Sequence, residues 1–379
     1  MRVTIFWRFA VSFILSTLCL SLVIAQDEDT TTPITIRQTT SLYSGPGITY
    51  REIGELDGDE SLDLLARNRI GNWVELRVIG SEENSLEGWA LTGTLSLAES
   101  IHFSDTPIDE TLTDAAPYNL DDDLLARMYS VPVIPQISDD MRMVYALGQS
   151  LGNRSETITK IGDSLSVSSI YLTPMWRTDH RLGAYDYLAD PIAYFGESTR
   201  HESVASRIGL NTSSIFDPMW ADQVLCNADE SPLLCEYRLT RPSIAFIMFG
   251  PNDVVSNMTV EGYESQMRVL VEITLDVGII PVLSTFSTHP QSRWWDKSMA
   301  FNLALVDIAA DYDVPIMNLW SAARALPNYG LAGDNIHMMH GTYEYFNFTT
   351  GHEATVGISL QNLVSLATLY ELYTFLEME

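Results

Sequence analysis

At 379 residues the chain is too long for one small domain, and length alone argues for two or three. It carries 21 Lys+Arg against 50 Asp+Glu, a formal net charge of −29. Such a surface repels nucleic acid and anionic lipid at ordinary salt, which excludes partners recognised through their phosphates, and it fits the solubility needs of an extracellular protein.

Residues 1–25 read as a signal peptide. Arg2 and Arg8 supply the positive start, Phe9 to Ala25 is almost continuously apolar, and Val23-Ile24-Ala25 offers a cleavage site before the polar Gln26-Asp27-Glu28-Asp29. An uncleaved anchor is the alternative, because the apolar run falls just under the roughly 20 residues that span a bilayer. Cleavage removes Cys19 and leaves 19 basic against 50 acidic residues, a net charge near −31. The two remaining cysteines, Cys226 and Cys235, are expected to pair as a disulfide in an oxidising compartment; no zinc-type spacing or histidine cluster accompanies them.

After a polar linker over 26–33, short β-rich pieces recur at Ile34–Arg37, Ser61–Ala66, Trp73–Val78 and Gly88–Leu91. Turn residues such as Ser44-Gly45-Pro46-Gly47 and Asp57-Gly58-Asp59 separate them, and five or six strands in so short a stretch predict a small all-β barrel over 34–97. The Ile36-Arg37 pair leading to Ser44-Gly45-Pro46-Gly47, then Tyr50, Gly58, Trp73-Val74 and Gly88-Trp89, resembles a bacterial SH3-type domain. That resemblance implies a binding or targeting module with a cell-envelope ligand. Trp73 and Trp89 are either groove or core residues.

Residues 98–132 read as an acidic linker, packed in part through Leu124, Leu125 and Tyr129. Asp121-Asp122-Asp123 lacks the alternation of a calcium loop.

From 133 to 379 the pattern becomes α/β. Helical spacing over Asp139–Leu151 precedes a β-rich Thr157–Ile161; the apolar Ile244–Phe249 reads as a strand buried on both faces. A helix over Thr259–Val277, a strand over Ile279–Phe286, a helix over Ser298–Ala310, a strand over Val314–Leu319 and a last helix over Ile358–Leu376 follow. This alternation predicts a three-layer α/β/α domain with a parallel sheet, whose sites gather at the carboxyl ends of the strands.

Three short motifs fall at those ends. Gly162-Asp163-Ser164 follows the first strand, where Ser164 is either a helix cap or a nucleophile. Gly250-Pro251-Asn252-Asp253 follows the second and offers an amide donor in Asn252, with Asp253 fixing the loop. Asp334-Asn335-Ile336-His337 follows the last and offers a base, His337, with a carboxylate, Asp334, to hold its other ring nitrogen. Together they supply what acyl transfer by a serine requires.

Residues from about 155 to 345, with these motifs in this order, look like the SGNH/GDSL hydrolase family, whose fold is flavodoxin-like. The resemblance implies Ser164 as nucleophile, His337 as base and Asp334 as its orienting partner. It also implies an oxyanion hole formed by the Ser164 N–H, the Asn252 side chain and a glycine N–H. Gly209 best fits that glycine's position, with Gly196 as the fallback. The family needs no cofactor and no metal. His340 lacks the matching Asp, and His102, His180, His201, His289 and His352 have no comparable partner.

An α/β-hydrolase is disfavoured, since Gly162-Asp163-Ser164-Leu165-Ser166 lacks the second glycine of the nucleophile elbow. The expectation is therefore an exported serine esterase acting on a small-molecule or polysaccharide ester, either a carbohydrate O-acyl or a short-chain lipid ester. Trp176, Tyr185, Tyr187, Tyr194 and Trp220, in the insert over 172–242, are candidates for its substrate wall. The alternative is a cell-surface binding protein that uses the SH3-type module and carries an inactive hydrolase fold.

Overall fold

In a computed structural model, residues 33–58, 60–79, 86–115, 120, 122–341 and 345–378 are described. The expected signal peptide over 1–25, with Cys19 in it, the expected linker as far as Thr32, and Asp59 and Asp121 lie outside these residues. Pro33 to Glu379 packs as one unit.

The N-terminal residues form antiparallel sheets, as their alternating pattern predicts. Strands β1 (Ile34–Ile36), β2 (Thr40–Tyr43), β3 (Glu52–Leu56), β4 (Ser61–Arg67), β5 (Trp73–Ile79), β6 (Leu86–Leu91) and β7 (Leu95–Leu97) divide into two sheets. One is five-stranded in the order β3-β2-β6-β5-β4, and the other pairs β1 with β7. Trp73 and Trp89 are both buried, so both are core residues.

Helix α1 (Asp123–Tyr129) breaks the acidic stretch 98–132, capped by the Asp122 carboxylate on the Leu124 and Leu125 N–H groups. Its Met128 and Tyr129 pack on Trp320, Met299 and Leu303, whereas Leu124 faces solvent. Phe103, earlier in this stretch, is fully buried edge-on against Tyr185.

The C-terminal region alternates as predicted. It runs α2 (Asp140–Leu151), β8 (Arg154–Gly162), α3 (Ser164–Val167), α4 (Ala189–Phe195), α5 (Pro232–Thr240), β9 (Pro242–Met248), α6 (Pro251–Val255), α7 (Val260–Asp276), β10 (Ile280–Ser284), α8 (Trp295–Tyr312), β11 (Ile316–Met317), α9 (Leu319–Ala323) and α10 (Gly357–Phe375). Strands β8, β9, β10 and β11 are neighbours in that order and pair in parallel. Every residue of β9 and β10 is buried, which explains why only Ser243 and Ser284 in them are polar. Helix α10 is buried along most of its length, its polar Ser359, Gln361, Asn362, Ser365 and Thr368 included, so it is a core helix rather than a surface one. No helix among the described residues is long and apolar enough to cross a membrane.

The two regions share contacts. Arg67, buried at the end of β4, donates from Nε to the Phe103 carbonyl (2.9 Å) and lies over the Tyr187 ring. The Tyr187 hydroxyl donates to the Ile70 carbonyl at 2.7 Å, and Arg69 pairs with Glu371 of α10.

Cys226 and Cys235 are bonded, as expected, and tie the loop over 217–226 to α5. Glu230 beside them is engaged by Arg238. Closing a loop of this length restricts the unfolded chain by about 3 kcal/mol in the chain-entropy account. Reduction is therefore expected to lower the melting temperature by several degrees, which calorimetry with and without dithiothreitol measures; an unchanged transition would show that the bridge adds nothing.

Candidate active site

Close approach dictates the glycine at the end of β8. A Cβ on Gly162 would lie 2.3 Å from the Met248 carbonyl oxygen and 2.4 Å from Ser166 Oγ, so no other residue fits where the chain turns off the sheet. The turn lifts Ser164 to the start of α3. Asp163 caps that helix, accepting from the Leu165 N–H at 2.9 Å.

Gly250 turns the chain in the same way beyond β9. Its φ of +147° and the Phe286 ring, 2.1 Å from where a Cβ would stand, both require glycine. Asn252 follows on α6. Its Nδ2 donates one proton to the Leu210 carbonyl at 2.8 Å, which fixes the amide and leaves the second N–H unassigned. Asp253 is fully buried and accepts from both the N–H and the hydroxyl of Thr212, at 3.0 and 2.6 Å. The loop carrying Gly209 and Leu210 is thereby tied to the Asn252 loop twice.

The third motif sits on a tight excursion after the sheet. Ala332 N–H donates to the His337 carbonyl and Met339 N–H to the Gly330 carbonyl, which closes the loop at its base. Within it Asp334 Oδ1 accepts from the N–H groups of Ile336 and His337, both at 3.0 Å. Its Oδ2 lies 2.6 Å from His337 Nδ1. The opposite ring nitrogen, Nε2, lies 2.9 Å from Ser164 Oγ. Serine, imidazole and carboxylate thus form one hydrogen-bonded chain, although Ser164 and His337 are 173 positions apart.

Electrostatics separate the two aspartates of these motifs. Burial favours the protonated form of Asp334, but His337 and the two backbone N–H groups outweigh it and hold the carboxyl below its ordinary range. Burial pushes Asp163 up to about 7, and the nearby Asp253 carboxyl adds to the rise. The Asn252 backbone N–H faces the same Asp163 carboxyl and opposes it, yet Asp163 Oδ2 has no formed hydrogen bond. Asp253 is likewise raised, chiefly by burial. Two adjoining buried carboxyls therefore lie beneath the turns that carry Ser164 and Asn252.

Gly209 lies on the segment that continues the sheet beside β8. Ser206 bridges to Gly162 in parallel, the Gly162 N–H donates to the Ala205 carbonyl, and the Arg207 N–H donates to the Gly162 carbonyl. Neither the Gly209 nor the Ser164 N–H forms a hydrogen bond among the described residues. Gly196, the fallback, instead packs against the Met175 carbonyl in a 3-10 turn. The Leu210 carbonyl and Thr212 carry no sequence signal of their own, because their partners are about 40 positions away.

Most of the aromatic residues expected to wall the substrate do not do so. Tyr185 and Tyr187 are buried in the core, and Tyr194 packs on Phe195 and Tyr373. The reason is the packing of the N-terminal region and α10 over this face. Trp176 is half exposed beneath the Arg200 guanidinium, while Trp220 lines a cavity. Among the other histidines, His201 lies 3.1 Å from Glu236 and His180 3.0 Å from the Pro174 carbonyl.

No known protein-family profile matches the chain. No curated protein matches it either. Among solved structures it is similar to a GDSL-like lipase from Bacteroides thetaiotaomicron VPI-5482, at 12% identity over 60% of this chain and 97% of that one, with a TM-score of 0.34. The psychrotrophic esterase EstA from Pseudoalteromonas sp. aligns at 16% identity over 59% of this chain and all of that one, also with a TM-score of 0.34. Axe2, an acetylxylan esterase from Geobacillus stearothermophilus, aligns at 16% over 56% and 94%, again with a TM-score of 0.34. At such low similarity the roles of individual residues rest on the geometry above.

Proposed function

We propose that the protein is an exported serine esterase of the SGNH/GDSL type. The observation that carries this reading is the hydrogen-bonded chain from Ser164 Oγ through the His337 ring to Asp334. In the reaction, Ser164 Oγ attacks the ester carbonyl as His337 Nε2 takes its proton, and the carbonyl π electrons move onto oxygen. The second side-chain N–H of Asn252, the Ser164 N–H and the Gly209 N–H are the proposed donors to that oxyanion. The intermediate collapses by breaking the C–O bond to the alcohol, which leaves with the proton from His337. Water then attacks the acyl-serine, gives its proton to His337, and Ser164 is released as the acid departs. Asp334 keeps Nδ1 protonated and steadies the imidazolium.

The ester is a carbohydrate O-acyl or short-chain lipid ester. Residues 34–97 are an SH3-type barrel that holds the enzyme at a cell-envelope ligand; with Trp73 and Trp89 buried, that ligand meets other residues. Failure of the whole protein to co-sediment with cell-wall fragments would count against this role.

Hydrolysis of p-nitrophenyl esters of increasing chain length, with fluorophosphonate labelling, tests the esterase. Release and labelling are expected from the native protein. Their absence at every chain length would favour the alternative of a binding protein with an inactive hydrolase fold. Asn252→Ala is expected to lower turnover by roughly 10²-fold to 10³-fold, the cost of one oxyanion donor, and near-native kcat would remove Asn252 from the mechanism.

A further inference from the structure

The large apolar side chains left most open to water meet at one place. Val224, Met219 and Ile208 are 90%, 85% and 74% exposed, and no other large apolar residue among those described exceeds 66%. Val224 and Met219 stand on the 217–226 loop with Trp220 and Leu225, which are also exposed. Ile208 joins them through both of its neighbours. The Arg207 guanidinium donates to the Trp220 carbonyl at 3.2 Å, and the edge of the Trp220 ring lies 3.9 Å from where a Cβ on Gly209 would stand. A single exposed apolar residue is ordinary, whereas a group of them in one place marks an interaction surface.

The backbone beneath these side chains is satisfied from within the loop. Asp217 accepts from the Met219 N–H at 2.9 Å, and Asp222 accepts from those of Val224 and Leu225 at 2.8 and 2.9 Å. The Trp220 and Cys226 N–H groups donate to the Asp217 and Asp222 carbonyls, and the Cys226–Cys235 bond ties the loop's end to α5. The apolar tips can therefore leave water without stranding the N–H groups that carry them, which is the condition for entry into a lipid interface.

Charge selects the kind of surface. Residues 217–230 include Asp217, Asp222, Asp229 and Glu230 and no Lys or Arg. Arg207 and Arg238 reach the loop from outside it, bonding the Trp220 and Leu225 carbonyls, and leave the face acidic. An anionic headgroup repels such a face, and a second copy of the chain seated on it would set the same carboxylates against one another. A zwitterionic headgroup instead offers its cationic end outermost, where the carboxylates meet it while the apolar tips pass inward.

We infer that the 217–226 loop and Ile208 form a docking surface for a zwitterionic lipid bilayer, with Met219, Val224 and Ile208 entering its headgroup layer. Docking of this kind needs none of the chemistry at Ser164. Flotation of the whole protein with phosphatidylcholine vesicles tests it. Binding is expected; it should weaken when a third of the lipid is phosphatidylglycerol and recover as salt screens the repulsion. Burial of one Val or Met side chain strengthens partition by at least about tenfold, so Met219→Ser and Val224→Ser should each weaken binding about tenfold and the pair about 10²-fold. Because both side chains are exposed, the double variant should keep the native melting temperature and the native rate on p-nitrophenyl acetate. Quenching of tryptophan fluorescence by brominated phosphatidylcholine should be largely lost in Trp220→Phe. No binding to phosphatidylcholine, binding that the double variant keeps, or stronger binding to the phosphatidylglycerol vesicles would overturn the inference. So would a dimer, seen by sedimentation velocity without lipid, that the double variant dissociates, since the face would then belong to a second copy.

Discussion

Ser164→Ala is expected to reduce kcat on p-nitrophenyl acetate by about 10⁶-fold, leaving only what binding and oxyanion donors supply over water. His337→Ala should fall to the same floor, and the double variant no further, because nucleophile and base act as one unit. Asp334→Asn is a different case. In buried triads, loss of the carboxylate costs about 10⁴-fold. Here the side chains of Asp334 and His337 are 49% and 45% exposed, so water screens their attraction, and a smaller loss of about 10²-fold to 10³-fold is expected. Asparagine at 334 keeps a carbonyl oxygen for the two backbone N–H groups, and the loop should survive the change. Pre-steady-state kinetics with active-site titration read all four proteins. Retention of more than a few per cent of native turnover by Ser164→Ala would remove this serine as the nucleophile.

Local pattern accounts for most of the α/β region. Strand β9 is legible because burial on both faces makes its run Ile244–Phe249 apolar, and Gly162 and Gly250 are legible because a sharp turn against packed neighbours admits nothing larger. The meeting of Ser164, His337 and Asp334 follows from parallel topology, which brings the carboxyl ends of the strands to one edge however far apart they are in sequence. What the sequence hides is non-local. Tyr185 and Tyr187 look like exposed aromatic residues of an insert, and nothing near them announces that Phe103 and Ile70, 82 and 117 positions earlier, cover them. The cavity that Trp220 lines is equally hidden, since much of its wall comes from the turns over 202–207 and 220–225, which have no periodicity to read. The pattern of 34–97 predicts antiparallel strands correctly, and the acidic run after it conceals α1, whose buried Met128 and Tyr129 are too few to show a helical stripe.

Stability should fall as pH rises from 5 to 7.5, contrary to the usual behaviour of an acidic protein whose carboxylates are paired. Asp163 is fully buried and burial moves its pKa from 3.8 to about 7; Glu353, also buried and with Oε2 unpartnered, moves from 4.5 to about 7 for the same reason. Between the ordinary and the folded values the native state therefore binds more protons than the unfolded chain, and stability declines with increasing pH across that interval. A tenfold difference in proton affinity is about 1.4 kcal/mol, so complete ionisation of each group costs on the order of 3–4 kcal/mol. His201 acts in the same direction: its hydrogen bond to Glu236 raises its pKa, and the stability this gives is lost as pH climbs through the folded value. Lys160 opposes them, because burial lowers it to about 8, but its contribution changes only above that pH. The depressed Asp334 contributes stability that is lost near and below pH 4, outside the interval. Scanning calorimetry should accordingly show a melting temperature lower at pH 7.5 than at pH 5, by as much as about 10 °C. Asp163→Asn retains an acceptor for the Leu165 N–H while removing the titration, so it should flatten the dependence, as should Glu353→Gln. A native melting temperature that is level or rising between these pH values would refute the protonation of Asp163 and Glu353 in the fold. The carboxyl beneath Ser164 therefore makes the fold most stable at the acid end of this interval, and Asp163→Asn is the substitution that should remove its share of the dependence.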